Sequence, residues 1–309
     1  MFQNIPAGGI SPMGHATRDI SYAHSAQTRA GRALIRTMEN ATGRIALIKR
    51  ARGYEQEVAR GADFWSVMVR RYGLSLDCAG GTLDNIPKDG PVIAIANHPF
   101  GILDGLMMGQ ILNRTRGDFR ILANDVFGKA QDINRVILPI SFDETRQAVA
   151  QNIATRREAL NYMGNGGAIG IFPGGTVSTA ARPFSAPMDP GWRSFTSKLI
   201  TRSGAQVVPI YFEGRNSRLF QLASHAHQTL RLGLLMNEFK RQVDKPVRVV
   251  IGSPIATAAL DNFRHDPKAM MDFLRQSTYD LSPTPMAPAP YGFEFEEKHR
   301  RAAHGGRHF

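Results

Sequence analysis

The strongest constraint on the fold is a recurrence of short apolar runs, at residues 92–96, 119–123, 136–140, 168–172, 207–212 and 247–251. Each is the length of a strand, and the run at 92–96 is continuously apolar, of the kind buried on both faces. Helical patterns separate them at 104–114, 144–163 and 194–203. Strand–helix alternation of this kind predicts an α/β fold, a single mixed sheet flanked by helices. None of the runs reaches the ~18 apolar residues of a membrane-spanning helix.

The ends differ from this middle. Residues 1–22 are polar with Gly and Pro and read as a flexible lead-in. Residues 23–73 read as an N-terminal pair of basic amphipathic helices, broken near Arg52 and Gly53. In the first, Leu34, Met38, Ala41, Ile45 and Ile48 share helical spacing, and Arg29, Arg32, Arg36, Arg44, Lys49, Arg50 and Arg52 surround them. Such a helix either packs on the domain with a solvated basic face or lies on anionic lipid. The α/β domain is expected over 74–281. Residues 282–309, Pro-rich and then basic, read as a disordered tail.

The chain of 309 residues carries 38 Lys and Arg against 26 Asp and Glu, a formal charge of +12. Such a surface draws polyanions: nucleic acid, an acidic carrier protein or an anionic membrane. The basic tail lacks the interleaved aromatics of a nucleic-acid platform, so no nucleic-acid partner is expected. The single cysteine, Cys78, excludes an internal disulfide framework and reads as a half-buried strand residue. The histidines form no metal-ligand spacing. No secretory signal opens the chain, and a cytoplasmic protein peripheral to the inner membrane is expected.

The chemistry concentrates in two stretches. In NHPFGILDG, residues 97–105, the run 92–96 ends at Asn97-His98, and a helix starts near Asp104 after the turn at Pro99 and Gly101. A histidine held by a carboxylate at one ring nitrogen offers the other as a general base near neutral pH. It could activate an acceptor hydroxyl against a thioester. Local rules also allow His98 to be a polar strand end and Asp104 a helix cap. In GAIGIFPGGTVS, residues 167–178, a strand runs into Pro173, Gly174, Gly175 and Thr176. Backbone N–H groups there suit an oxyanion hole or a phosphate cradle.

Taken in order with VVPIYFEG at 207–214, these blocks resemble the glycerolipid acyltransferase family, the lysophosphatidate acyltransferases and their relatives, over residues 70–256. NHPFGILDG, with five residues between His98 and Asp104, resembles its haemolysin-like branch, which includes lyso-ornithine-lipid acyltransferases. The resemblance implies transfer of a fatty acyl chain from acyl carrier protein or acyl-coenzyme A to a lysolipid hydroxyl, without a further cofactor. His98 would be the base, Asp104 its orienting partner, and Gly174 and Gly175 the oxyanion donors; Asn97, Gly101, Pro173 and Thr176 would line the substrate. The family's third block usually reads Phe-Pro-Glu-Gly-Thr-Arg-Ser. Here Gly174 replaces the Glu and Val177 the Arg, and Asn124 stands where the second block often has Lys. Two cations that hold an acceptor phosphate are thus absent, which favours a lyso-aminolipid over lysophosphatidate. Lys129, Arg135, Arg182 and Arg215 are candidate substitutes.

Arg215 and Asn216, after the run 207–212, sit where a head group or carrier could touch them. Met107, Met108, Met163 and Met188 either line an acyl groove or fill the core. Two other activities use the same features. The His98–Asp104 pair could activate water, giving a thioesterase or lysolipid hydrolase, or the charge alone could make a non-enzymatic membrane binder. Charge reversal of Arg29, Arg32 and Arg36 should weaken binding to anionic liposomes; unchanged binding would exclude the N-terminal helices as a dock.

Overall fold

The structure is a computed structural model and describes residues 21–26, 28–124, 131–141, 145–284 and 287–295. It starts with helix α1 (Arg29–Glu39), a π-helical turn (Asn40–Arg44) and α2 (Ile45–Ala51), then α3 (Tyr54–Ala59) and α4 (Phe64–Arg71). β1 (Ser75–Gly80), β2 (Val92–Ala96), α5 (Ile102–Arg116), β3 (Arg120–Asn124), α6 (Gln131–Asn134) and β4 (Ile137–Ile140) come after these. Next come α7 (Arg146–Gly164), β5 (Ala168–Ile171), the short β6 (Thr179–Ala180) and β7 (Pro187–Met188), α8 (Phe195–Ser203) and β8 (Gln206–Phe212). The chain continues through α9 (Arg218–Ala226), α10 (Gln228–Gln242), β9 (Pro246–Ile251), α11 (Thr257–Asp261) and α12 (Pro267–Tyr279).

All six apolar runs are strands of one seven-stranded sheet, ordered β1-β9-β8-β2-β5-β3-β4. The pairs β8–β2, β2–β5, β5–β3 and β3–β4 are parallel; β9 runs antiparallel to β8 and parallel to β1, so the sheet is mixed. Strand periodicity divides the core. Val92, Ala94 and Ala96 pack with α4, α5 and α10 on one face, and Ile93 and Ile95 with α7, α8 and α12 on the other. Both faces of β2 are buried, which is why its sequence is apolar without alternation. Met107, Met108, Met163 and Met188 are all buried, the first three in these two layers and Met188 against Tyr279 and Ala289, so they fill the core.

The amino-terminal region departs from the expected pair of helices. The break at Arg52 and Gly53 is present, but the buried stripe is Ile35, Glu39, Gly43, Leu47 and Ala51, spaced by four residues and drifting from one to three residues beyond the expected one. The π turn keeps this four-residue spacing on one side, and at Gly43 it brings the helix so close to α10 that a Cβ would lie 2.5 Å from the Met236 carbonyl oxygen. Leu34 and Ile45 consequently face outward among the arginines. Arg50 is not uncompensated, since it pairs with Asp244. Packing already begins at Ser21, whose hydroxyl donates to Glu39 Oε2 at 2.6 Å, while the Tyr22 N–H donates to Oε1 at 2.8 Å. Residues 1–20 lie outside the described residues. Cys78 is exposed on β1 rather than half-buried, and desolvation raises its thiol pKa, the opposite of an activated nucleophile.

The expected disordered tail is partly a packed strap. The Gly292 N–H donates to the Asp189 carbonyl at 2.8 Å and the Phe293 N–H to the Thr179 carbonyl at 3.0 Å. Arg193 holds Glu294 with both terminal nitrogens, at 2.8 and 3.0 Å. Buried Arg275 donates to the carbonyls of Ala289 and Pro290 and stacks on Tyr279 and Tyr291. The strap is held by Ala289, which is buried, and by Phe293 and Phe295, which are partly buried, without regular secondary structure, so composition alone suggests disorder where there is packing. The basic residues 296–309 lie outside the described residues. Removing residues 287–309 takes two carbonyls from a buried guanidinium, at a cost of about 3 kcal/mol. Differential scanning calorimetry should show Tm falling by about 5 °C or more.

Candidate active site

The parallel strands β8, β2, β5, β3 and β4 end at one edge of the sheet, the edge where α/β folds place ligands. His98 leaves β2 there, between the loops that leave β8 and β5. Its Nδ1 lies 2.9 Å from Asp104 Oδ2, and the same oxygen accepts the N–H groups of Phe100 at 2.8 Å and Gly101 at 2.9 Å. Asp104 thus does two things at once: it closes the first turn of α5 as an acid at the third helical position does, and it faces the imidazole. Gly101 makes this possible. Its φ of +92° belongs to glycine, and a Cβ would meet Val177 at 3.3 Å and the Tyr22 hydroxyl at 3.4 Å. Asp104 is fully buried and its pKa is raised by desolvation, against the stabilising pull of His98 and the two N–H groups. The His98 side chain keeps 18% of its surface exposed, and its Nε2 has no partner among the described residues.

The ring stacks on Phe172, with centroids 4.4 Å apart, at the first residue of the glycine turn. Only one of the two expected oxyanion donors is available. Gly175 donates its N–H to the Phe172 carbonyl at 3.0 Å and so closes the turn, whereas the Gly174 N–H has no partner among the described residues. Three further substrate candidates prove to be framework. Asn97 is clamped to the neighbouring strand, its Nδ2 donating to the Phe212 carbonyl at 2.9 Å and its Oδ1 accepting the Phe212 N–H at 2.7 Å. The buried Pro173 accepts the Arg193 N–H at 2.9 Å, and Thr176 Oγ1 accepts from Arg231 at 2.9 Å. Asn124 ends β3, two strands from β2 and thus about 10 Å away. Arg215 lies exposed beyond β8 with no partner among the described residues, and Arg135 and Arg182 are exposed elsewhere. Lys129 lies outside the described residues.

Two residues that sequence reasoning missed, Asp189 and Arg231, organise this edge. Asp189, fully buried, accepts the His98 N–H at 3.2 Å and the Ser178 hydroxyl at Oδ1, and the Trp192 Nε1–H at 2.9 Å at Oδ2. A Cβ on Gly174 would meet its carboxylate at 3.3 Å, so the small residue where the family has Glu makes room for Asp189. Arg231, buried on α10, donates to Thr176 Oγ1, Thr179 Oγ1, Ser224 Oγ and the Val177 carbonyl and lies against Phe220 and Phe295. Burial pushes its pKa down to about 9, so it stays charged at neutral pH, with no carboxylate in ion-pair distance among the described residues. The peptide that accepts from Arg231 at Val177 donates from Ser178 to the His98 carbonyl at 2.8 Å, one step from guanidinium to the His98 loop. Asn216 is only 2% exposed, yet neither its Oδ1 nor its Nδ2 has a partner among the described residues. Such orphaned groups cost about 1–3 kcal/mol each. No spacing rule could have pointed to Asp189 or Arg231, whose partners lie far along the chain.

The sequence profile of the acyltransferase family matches residues 16–285. The chain belongs to the acyltransferase family. Two curated relatives are similar to it, both lyso-glycine lipid O-acyltransferases. That of Phocaeicola vulgatus is 27% identical, over 72% of this chain and 78% of its own length. That of Bacteroides thetaiotaomicron is 25% identical, over 72% and 80%. Among solved structures, the 1-acyl-sn-glycerophosphate acyltransferase PlsC of Thermotoga maritima aligns with 16% identity and a TM-score of 0.42, over 77% of this chain and 88% of its own.

In this acyltransferase, Asp104→Asn should lower kcat by about 10²–10⁴, because an amide cannot stabilise the imidazolium. It should also change the pH dependence of stability. A carboxyl whose native pKa is raised contributes stability below its ordinary value of 3.8, and that contribution is lost as the pH rises through the native value. The Tm of Asp104→Asn relative to wild type should therefore climb as the pH rises above 3.8. A constant offset would show that Asp104 carries no such burden.

Proposed function

We propose that the protein transfers a fatty acyl chain from a thioester to the hydroxyl of a lysolipid, with His98 as general base. The observation that carries this reading is the His98–Asp104 pair at 2.9 Å, with Nε2 uncommitted beside the glycine turn. In the proposed reaction Nε2 takes the hydroxyl proton as the acceptor oxygen bonds to the thioester carbonyl carbon. The carbonyl oxygen becomes an oxyanion, stabilised by the Gly174 N–H. Collapse breaks the carbon–sulfur bond, and the leaving thiolate takes the proton back from His98. The products are an ester and a free thiol, and no further cofactor is required.

Acyl carrier protein and acyl-coenzyme A are both candidate donors, the former favoured by the +12 charge. For the acceptor we infer a lyso-aminolipid. Val177 is buried and uncharged where the family's Arg would stand, and Arg231, which reaches the same loop, is held by four neutral oxygens. The relatives' names, lyso-glycine lipid O-acyltransferase, point the same way. Docking is proposed through α1 and α2, where Leu34 and Ile45, both nearly half exposed, lie among arginines as on a helix that rests on anionic lipid. Among the described residues no helix is long and apolar enough to cross a membrane. We place the protein peripherally on the cytoplasmic face of the inner membrane.

The test is acyl transfer by purified protein, offered labelled acyl carrier protein and acyl-coenzyme A with lyso-glycine lipid, lyso-ornithine lipid and lysophosphatidate. A diacyl product should form with an aminolipid and fall at least about 10²-fold in His98→Ala. Release of free fatty acid without transfer would mean a hydrolase. Full activity in His98→Ala would remove the base.

A further inference from the structure

We propose that Asn216 and Arg215 form the acceptor's head-group subsite, and that it takes an amide-linked carboxylate, an N-acyl amino acid, in preference to a phosphate ester. This rests on the acyl-transfer reading above and names its substrate class.

Contacts on both sides of the loop leaving β8 fix the placement. Asn97, one residue before His98, is bonded to Phe212. Gly214 packs so closely on Phe100 that a Cβ would lie 2.3 Å from the ring. Ser217 is anchored to buried Glu238 by its N–H and its hydroxyl, each at 2.7 Å. Residues 212–217 therefore run beside the catalytic loop, and Asn216 lies between two fixed points on it.

The unpaired amide of Asn216 sets the chemistry. Asn97, the other buried asparagine at this edge, has both ends of its amide paired, whereas Asn216 has neither. Its Oδ1 needs a donor and its Nδ2 needs an acceptor. A secondary amide supplies both in one planar group. An ionised phosphate ester supplies acceptors alone and would leave Oδ1 buried and unpaired, a mismatch that polar sites reject strongly. Arg215 precedes Asn216, exposed and uncommitted among the described residues, and provides the cation for a carboxylate next to that amide.

The test uses the full-length protein and two hydroxyl-bearing acceptors that differ in one atom: an N-acyl glycine lipid, and its ester counterpart with oxygen in place of the amide N–H. Wild type should favour the amide by about tenfold in kcat/KM, mainly through KM. In Asn216→Leu the ratio should fall to about one, both acceptors losing the Nδ2 donor but the amide losing in addition the partner of its N–H. Arg215→Gln should raise KM for both carboxylates and leave their methyl esters unaffected. Asn216→Ala serves as the second variant if the leucine protein does not fold. Calorimetric binding of an N-acyl glycine without the reacting hydroxyl should show the same dependence on Asn216. An amide-to-ester ratio near one in wild type, or one retained in both Asn216 variants, would overturn the subsite and leave the amide to a buried water or to the frame. Asn216-dependent binding without acylation of any acceptor would uphold the subsite and overturn the acyl-transfer reading instead.

Discussion

The carboxyl edge of the sheet is organised around one buried carboxylate. Asp189 bonds the backbone of His98, the side chain of Ser178 and the indole of Trp192, and it fills the space beneath Gly174. The loop that bears His98 and the turn that bears Gly174 are thereby fixed to the same few atoms. Its own backbone is gripped in turn, the N–H donating to the Tyr279 hydroxyl and the carbonyl accepting from Arg275 and Gly292. Helix α12 and the carboxyl-terminal strap both bear on the His98 loop through this residue.

Around it the protein keeps charge where solvation would not choose it. Asp104 is buried against its own desolvation, and Arg231 and Arg275 are buried among hydroxyls, carbonyls and aromatic rings. Buried charges held by neutral partners cost stability and fix dipoles. Here the dipoles converge on the His98 backbone and on the turn beside its ring, which is the sense in which this edge is prepared for chemistry.

The sheet was legible because burial on both faces leaves a mark in sequence: the runs that became β2, β5 and β8 are apolar throughout. His98 and Asp104 were legible because their contact is local, across five intervening residues that include Pro99 and Gly101. The features that sequence did not reveal are long-range. Asp189 reaches His98 across 91 positions, and Arg231 reaches Thr176 across 55. Asn97 beside the base looked like a substrate ligand, yet a buried amide at a strand end is drawn first to the neighbouring backbone. Ala289 to Phe295 looked disordered, because a strap held by one bidentate ion pair and a few backbone bonds has no periodicity. The buried stripe lies one residue from the expected one in α1, and the offset grows to two at Gly43 and Leu47 and three at Ala51, because a π turn, which no apolar pattern announces, rotates the helix beyond it.

The central claim is that Asp104 orients His98 so that Nε2 is the basic nitrogen. Long-range nitrogen–proton correlation spectra of imidazole-labelled protein test it most directly. The account predicts that neutral His98 carries its proton on Nδ1 and that this preference is lost in Asp104→Asn. A neutral His98 protonated on Nε2 in the wild-type protein would contradict it, since no unprotonated nitrogen would then face the substrate.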